Sequence, residues 1–374
     1  MKVGEKMIYI PLFKGRRLEH QVIESKNECF SEQIIPLVEI IKDHFCQTEF
    51  ATDPTSGEYL KKPAKTRMQR YRIAPTDDDR NTLEYYQGLL NGKKAFIDYF
   101  RFSPDVYGRS LNYKAVDLSV MLSQNEKKYF ERLLELSKFE TLVPVLSIKE
   151  KFFPKSCTTA DIINRLQSGN AQVAIRLDEA AYATLASSVA PLLRQGDYLM
   201  YDLGEQKMSS KEIELDEYNA LETLATKLIL NSPRRRKVNN GDYQNRQYTS
   251  LIDNSARDIG LMYESIRGYG DYCGMRDSLP GKQAGGRGCA LALFYQYSSN
   301  QFMAYVNSNS DEGFSGYSRL IPQIIADANT LDSDGPSDEI IEIKELSKKG
   351  KCGVWTTWHG FNMSRYLTQV YKNI

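Results

Sequence analysis

Glu39, Asp98, Arg176 and Asp202 each lie within a short apolar run: IIPLVEI (34–40), KAFIDYF (94–100), AQVAIRLD (171–178) and DYLMYDLGE (197–205). An unpaired charge is costly to bury, so each of these residues needs an opposite partner or a ligand. Lys14 and Lys149 close the comparable runs MIYIPLF (7–13) and TLVPVLSIK (141–149). Three carboxylates could hold a hard divalent ion such as Mg²⁺, which prefers oxygen ligands. Interleaved Lys and Arg suit phosphate, Arg through two-pronged contacts and Lys as a point charge. The chemistry expected of such a set is phosphoester binding or cleavage. The same residues also read as ion pairs that stabilise the fold, and both readings stay open. Asp178, Glu205 and Arg101 read as rim residues.

Four further stretches carry candidate chemistry. NSPRRRK (231–237) places four basic residues after the run TKLILNS (226–232) and nominates Arg234 as a phosphate ligand. The alternative for this stretch is a solvated charged loop. Residues 46–76 bring Lys61, Lys62, Lys65, Arg67, Arg70 and Arg72 close to Tyr59 and Tyr71, a composition suited to nucleic acid. GYGDYCG (268–274) contains Asp271 and Tyr272 among glycines that permit a tight turn or a ligand loop. The C-terminal segment VWTTWHGFNMSRYLTQVYKNI holds His359, either a general acid or base near pH 7 or a packed, capping histidine. The candidate catalytic set is therefore Glu39, Asp98, Asp202 and His359. The candidate ligand set is Lys14, Lys149, Arg176, Arg234, Asp271 and Tyr272, with no metal ligand assigned. No HxE, HExxH, GxSxG, GKS/T or EF-hand pattern narrows the reaction further.

These residues need a scaffold that brings strand ends together. The apolar runs alternate with helix-like stretches at 77–90, 125–139, 158–170, 180–197 and 215–227. Such alternation means βαβ units and a parallel sheet. Seven strands, with an eighth over 266–274, predict an α/β, (β/α)8 TIM-barrel-like single domain with active positions beyond the carboxyl ends of the strands. A doubly wound open sheet is the rival, but no Gly-rich phosphate turn follows the first strand. Residues 46–76 then form a polar, basic insertion after strand 2. Residues 279–310 form a second insertion containing a β-hairpin around Ser298–Asn300, and 353–374 close the barrel with a helix.

Composition limits the alternatives. The 374 residues are 41% hydrophobic with a formal net charge of +1, enough apolar content for a sizeable core and no global field toward nucleic acid or membrane. No apolar run approaches the roughly 20 residues of a membrane span, and the N-terminus has no cleavage-site pattern. The six cysteines are scattered, without metal-ligand spacing, as expected of free thiols in a cytoplasmic protein.

The opening IYIPLFKGRRLEH followed by IIPLVEI resembles the start of the bacterial and phage "beta protein" family. RDIGLMY (257–263), GYGDY and WTTWHG are similar to that family's later blocks. The resemblance implies a barrel-like fold and occurrence in prophages, mobile elements and defence-associated neighbourhoods, with no settled activity. By carry-over it points to Lys14, Glu39, Arg257, Asp271, Tyr272 and His359. This chain has one histidine where a pair is common, and a long insertion at 46–76. The expectation is a phage- or defence-related protein that binds a phosphate-bearing ligand, a nucleotide, nucleic acid or protein partner, at the barrel rim. The alternatives are a phosphodiesterase- or nuclease-like hydrolase, with Mg²⁺ as a possible cofactor, and a structural subunit.

Overall fold

Near-continuous β-branched and aliphatic runs favour strands covered on both faces. Eight of them close a barrel in the computed structural model, which describes all residues except 1–6, 47–49, 65, 108–110, 239, 250, 251, 253, 283–289 and 334. They are β1 (Ile8–Phe13), β2 (Leu37–Ile40), β3 (Ala95–Tyr99), β4 (Leu142–Ile148), β5 (Ala174–Asp178), β6 (Tyr198–Asp202), β7 (Thr226–Leu230) and β8 (Ile266–Asp271). Each strand pairs in parallel with its chain neighbour, and β1 closes on β8 from Ile8–Gly268 to Pro11–Asp271. This is the TIM-barrel order. Closure rules out the doubly wound alternative, which would leave two open edges.

The crossovers follow from local signals. Helix Thr159–Gly169 starts where Thr158 accepts from the Asp161 N–H at 3.1 Å, and the Asp161 carboxylate accepts from Thr158 N–H at 3.2 Å. Helix Glu126–Glu135 buries Tyr129 and Leu133, one helical turn apart, against the sheet. Beneath the helices, Ile97, Val145, Leu146, Ile175, Leu199 and Ile229 are fully buried in one continuous core.

The glycines of GYGDY serve packing. Gly268 and Gly270 lie inside β8, where a Cβ would run into the backbone carbonyls of Ile8 and Ile10 and the side chains of Leu228 and Leu230. A side chain there would force β8 away from β1 or β7. The turn comes later, at Cys273 and Gly274, with φ of 51° and 72°.

The second insertion forms β9 (Ala290–Gln296) and β10 (Gln301–Asn307), an antiparallel hairpin. Its outer face packs Ala292, Phe294 and Tyr305 against Leu320, Ile324, Ile343 and Trp358. The C-terminal helix Trp355–Asn373 serves both layers: Trp358 and Phe361 join this satellite core, while Met363, Tyr366, Leu367 and Val370 join the barrel core. Among the described residues, no helix is long and apolar enough to cross a membrane, and five cysteines are free thiols. Lys65, Cys289 and most of the Gly-rich stretch at 282–288 lie outside the described residues.

Candidate functional site

Parallel register places Glu39 of β2 directly beside Asp98 of β3, and Ser147 of β4 beside Arg176 of β5. Two carboxylates on adjacent strands repel unless a cation intervenes. Arg176 provides it. Its Nη1 lies 2.7 Å from Glu39 Oε1 and 2.9 Å from Asp98 Oδ2, while Nη2 lies 2.6 Å from Asp202 Oδ2. The Ser147 hydroxyl donates to Asp98 at 2.6 Å. On the other side, Lys14 Nζ is 2.6 Å from Glu39 Oε2 and 2.7 Å from Asp277 Oδ1, and the Tyr272 hydroxyl donates to Glu39 at 3.0 Å. One layer of alternating charge thus seals the carboxyl end of the barrel.

Above this layer is a cavity of about 210 Å³. Phe100, Phe102, Tyr107 and Phe152 provide its aromatic walls, and Arg101, Lys149, Arg176, Asp202, Arg236, Tyr272 and Asp277 its polar lining. Arg236 bridges Glu205 at 2.9 Å and Asp277 at 2.9 Å, and Tyr107 donates to Asp277 at 2.8 Å. Burial pushes the Asp277 carboxyl up, but Lys14 and Arg236 overcome it and hold the group well below the usual carboxylate range.

Two cations here differ from the rest. Lys149 donates to the backbone carbonyl of Arg101 at 3.0 Å and lies 4.1 Å from the Phe100 ring centroid. Arg101 donates to the Ser147 carbonyl at 2.8 Å and stacks on Tyr129 at 3.6 Å. Among the described residues, no carboxylate forms an ion pair with either. Burial, followed by the nearby Arg176, pulls the Lys149 pKa below its ordinary value. A desolvated cation without a counter-charge, as the buried Arg101 and the half-buried Lys149 are, is the group most ready to take an anion.

The sequence-derived candidates divide accordingly. Lys14, Glu39, Asp98, Lys149, Arg176, Asp202 and Tyr272 come together, but Glu39 and Asp98 lie fully buried beneath the cavity lining. The three carboxylates converge on the Arg176 guanidinium, so this donor set does not fit Mg²⁺. No group of three or more metal-ligating side chains occurs among the described residues. Asp271 faces away from the cavity, accepting from Tyr9 at 2.9 Å and Tyr366 at 2.5 Å. Arg257 donates to the Tyr297 carbonyl beside the hairpin layer. Arg234 is buried near Tyr243, outside the cavity lining. His359 packs edge-on against Trp355, and burial, then Arg234, Arg16 and Arg276, lowers its pKa to about 3. It is neutral at pH 7 and does not line the cavity.

Arg236, Asp277 and Tyr107 are site residues that the strand-end pattern does not reveal. The RRRK run signals Arg236, whereas Asp277 and Tyr107 come from loops with no distinguishing spacing. The chain matches no protein-family model and no curated protein.

Proposed function

We propose that the chain binds a small phosphate-bearing ligand, of the nucleotide class, in the cavity at the carboxyl rim of the barrel. The observation that carries this is the pair of cations, the buried Arg101 and the half-buried Lys149, that line the cavity without a carboxylate partner. A phosphate would supply the missing counter-charge through charge-assisted hydrogen bonds. Phe102, Tyr107 and Phe152 offer flat surfaces for a base or another ring. At about 210 Å³ the cavity suits a single phosphate with little more than one ring system. The resemblance to the "beta protein" family supports a role in a phage, mobile-element or defence setting.

Hydrolysis of the bound phosphoester is a second reading. It rests on Asp202, which alone of the three clustered carboxylates lines the cavity. Binding is favoured because Glu39, Asp98 and Asp202 all already accept from Arg176. The test is calorimetric titration and thermal shift with inorganic phosphate, pyrophosphate and nucleoside monophosphates. Saturation at about 100 times Kd should stabilise the fold by about 2.7 kcal/mol. Lys149→Met and Arg101→Met should each weaken binding at least about tenfold, the loss expected when a charged hydrogen bond goes. Absence of binding to all these ligands, or unchanged affinity in both variants, would refute the site. Turnover that disappears in Asp202→Asn while binding persists would favour the hydrolase.

A further inference from the structure

Residues 50–72 leave the barrel between β2 and helix Thr82–Leu89, from the same carboxyl rim as the cavity. Lys61–Pro63 and Met68–Arg70 pair as an antiparallel hairpin in which all six residues are exposed. Bridges at Phe50–Arg72 and Thr52–Tyr59 extend the arm toward its base. Isolated two-stranded hairpins are only marginally stable, so packing does not account for this sequence.

The charges of the arm are also unbalanced. Within residues 50–72 the only acids beside Lys61, Lys62, Arg67, Arg70 and Arg72 are Asp53 and Glu58, and none of the five cations forms an ion pair among the described residues. Asp53 is turned inward on its own loop, accepting from Thr55 and Ser56 N–H. The cations associate instead with aromatic rings. Arg70 lies 4.3 Å from the Tyr59 centroid and 5.5 Å from that of Phe50, Arg72 lies 5.4 Å from Phe50, and Lys62 lies 5.4 Å from Tyr71. Tyr59 and Tyr71 remain 47% and 48% exposed.

We infer that this arm is a binding surface for single-stranded nucleic acid, separate from the cavity. Unpaired cations match a phosphate backbone, and exposed tyrosines match unstacked bases. A duplex would offer the phosphates while hiding the base faces. An acidic polypeptide would offer charge without flat rings.

The test uses the full chain and fluorescence anisotropy with a labelled mixed-sequence single strand of about 15 nucleotides, as DNA and as RNA. Binding should weaken with salt, with a logarithmic slope of about −0.7 per contacted phosphate. Tyr59→Ala combined with Tyr71→Ala should weaken it at least about 30-fold with the slope retained. Lys61→Gln combined with Lys62→Gln should flatten the slope by about 1.4, corresponding to two lost phosphate contacts. These positions are exposed, so an unchanged thermal midpoint confirms that each variant is folded. Lys149→Met should bind the oligonucleotide like wild type, which keeps this inference independent of the cavity ligand. It would be overturned by no binding of either strand, by arm variants that bind like wild type, or by equal affinity for duplex. Equal competition by polyglutamate at matched charge would instead assign the arm to an acidic polypeptide.

Discussion

Arg176, buried, and Lys149, half-buried, are both cations at one rim, yet their removal should have opposite consequences. Arg176→Met leaves Glu39 and Asp98 facing each other on adjacent strands, with Asp202 nearby. Stranding buried carboxylates in this way costs about 3–5 kcal/mol, to be read as a lower denaturant midpoint. Adding Asp98→Asn should recover part of the loss, because one of the repelling charges is gone. Lys149→Met removes an ammonium group whose hydrogen-bond acceptor is the Arg101 carbonyl. A well-packed apolar side chain there should stabilise the ligand-free chain by about 1 kcal/mol while phosphate binding is lost. Burial lowers the Lys149 pKa from 10.5 in the folded state, so the wild-type deficit is complete at neutral pH. It should shrink as the pH rises from that lowered value toward 10.5. A variant less stable than wild type at neutral pH would show that Lys149 is held for structure and not for a ligand.

At the scale of elements, Asp271 shows how far a motif can be read and where reading stops. The β/α alternation was legible because seven of the eight barrel strands are apolar runs and several helices carry their own caps, as Thr158 does. The charged layer was legible because Glu39, Asp98 and Arg176 interrupt such runs. GYGDY gave no sign of which way its aspartate faces, since that depends on how β8 meets β1 and the C-terminal helix. Arg234 and Arg236 stand two residues apart in one basic run, and loop geometry alone sends one away from the cavity and the other to its wall. Asp271 fastens β8 to β1 through Tyr9 and to the C-terminal helix through Tyr366. Burial raises its carboxyl to about 6, although Tyr366, Tyr9 and the Cys273 N–H pull it down. A raised native pKa gives stability that is present below the unfolded value of 3.8 and lost as pH rises through about 6. Relative to Asp271→Asn, wild type should therefore gain roughly 2–3 kcal/mol between about pH 7 and about pH 3.5. Parallel denaturant melts of the two proteins test this, and a constant difference across that range would contradict it.

For the whole molecule, the net charge of +1 at pH 7 grows positive on acidification as carboxylates protonate, and on this general repulsion individual desolvated groups impose pH responses of their own. All three histidines are depressed. Burial, then His44, lowers His20 to about 4, where its ring meets Tyr85 at 3.0 Å and Tyr86 at 3.2 Å. Burial also lowers His44, which stacks on Tyr85 at 3.8 Å. His359 falls to about 3. The unfolded chain protonates its histidines near 6.5 and the folded chain resists. Their stability is thus present above 6.5 and lost as pH falls toward about 4 for His20 and about 3 for His359. Asp271 works in the opposite direction over part of the same range. Between about pH 7 and about pH 4.5, His20 and His359 together remove about 5 kcal/mol and Asp271 returns about 2, a net loss of about 3 kcal/mol. Domains are typically stable by about 5–15 kcal/mol, so this loss should move the guanidinium midpoint clearly. His359→Gln should remove about half of the histidine contribution and flatten the profile. Stability that stays level from pH 7 to about 4.5 would mean that these histidines take up protons as freely as in the unfolded chain, against what their packing on Tyr85, Tyr86 and Trp355 predicts.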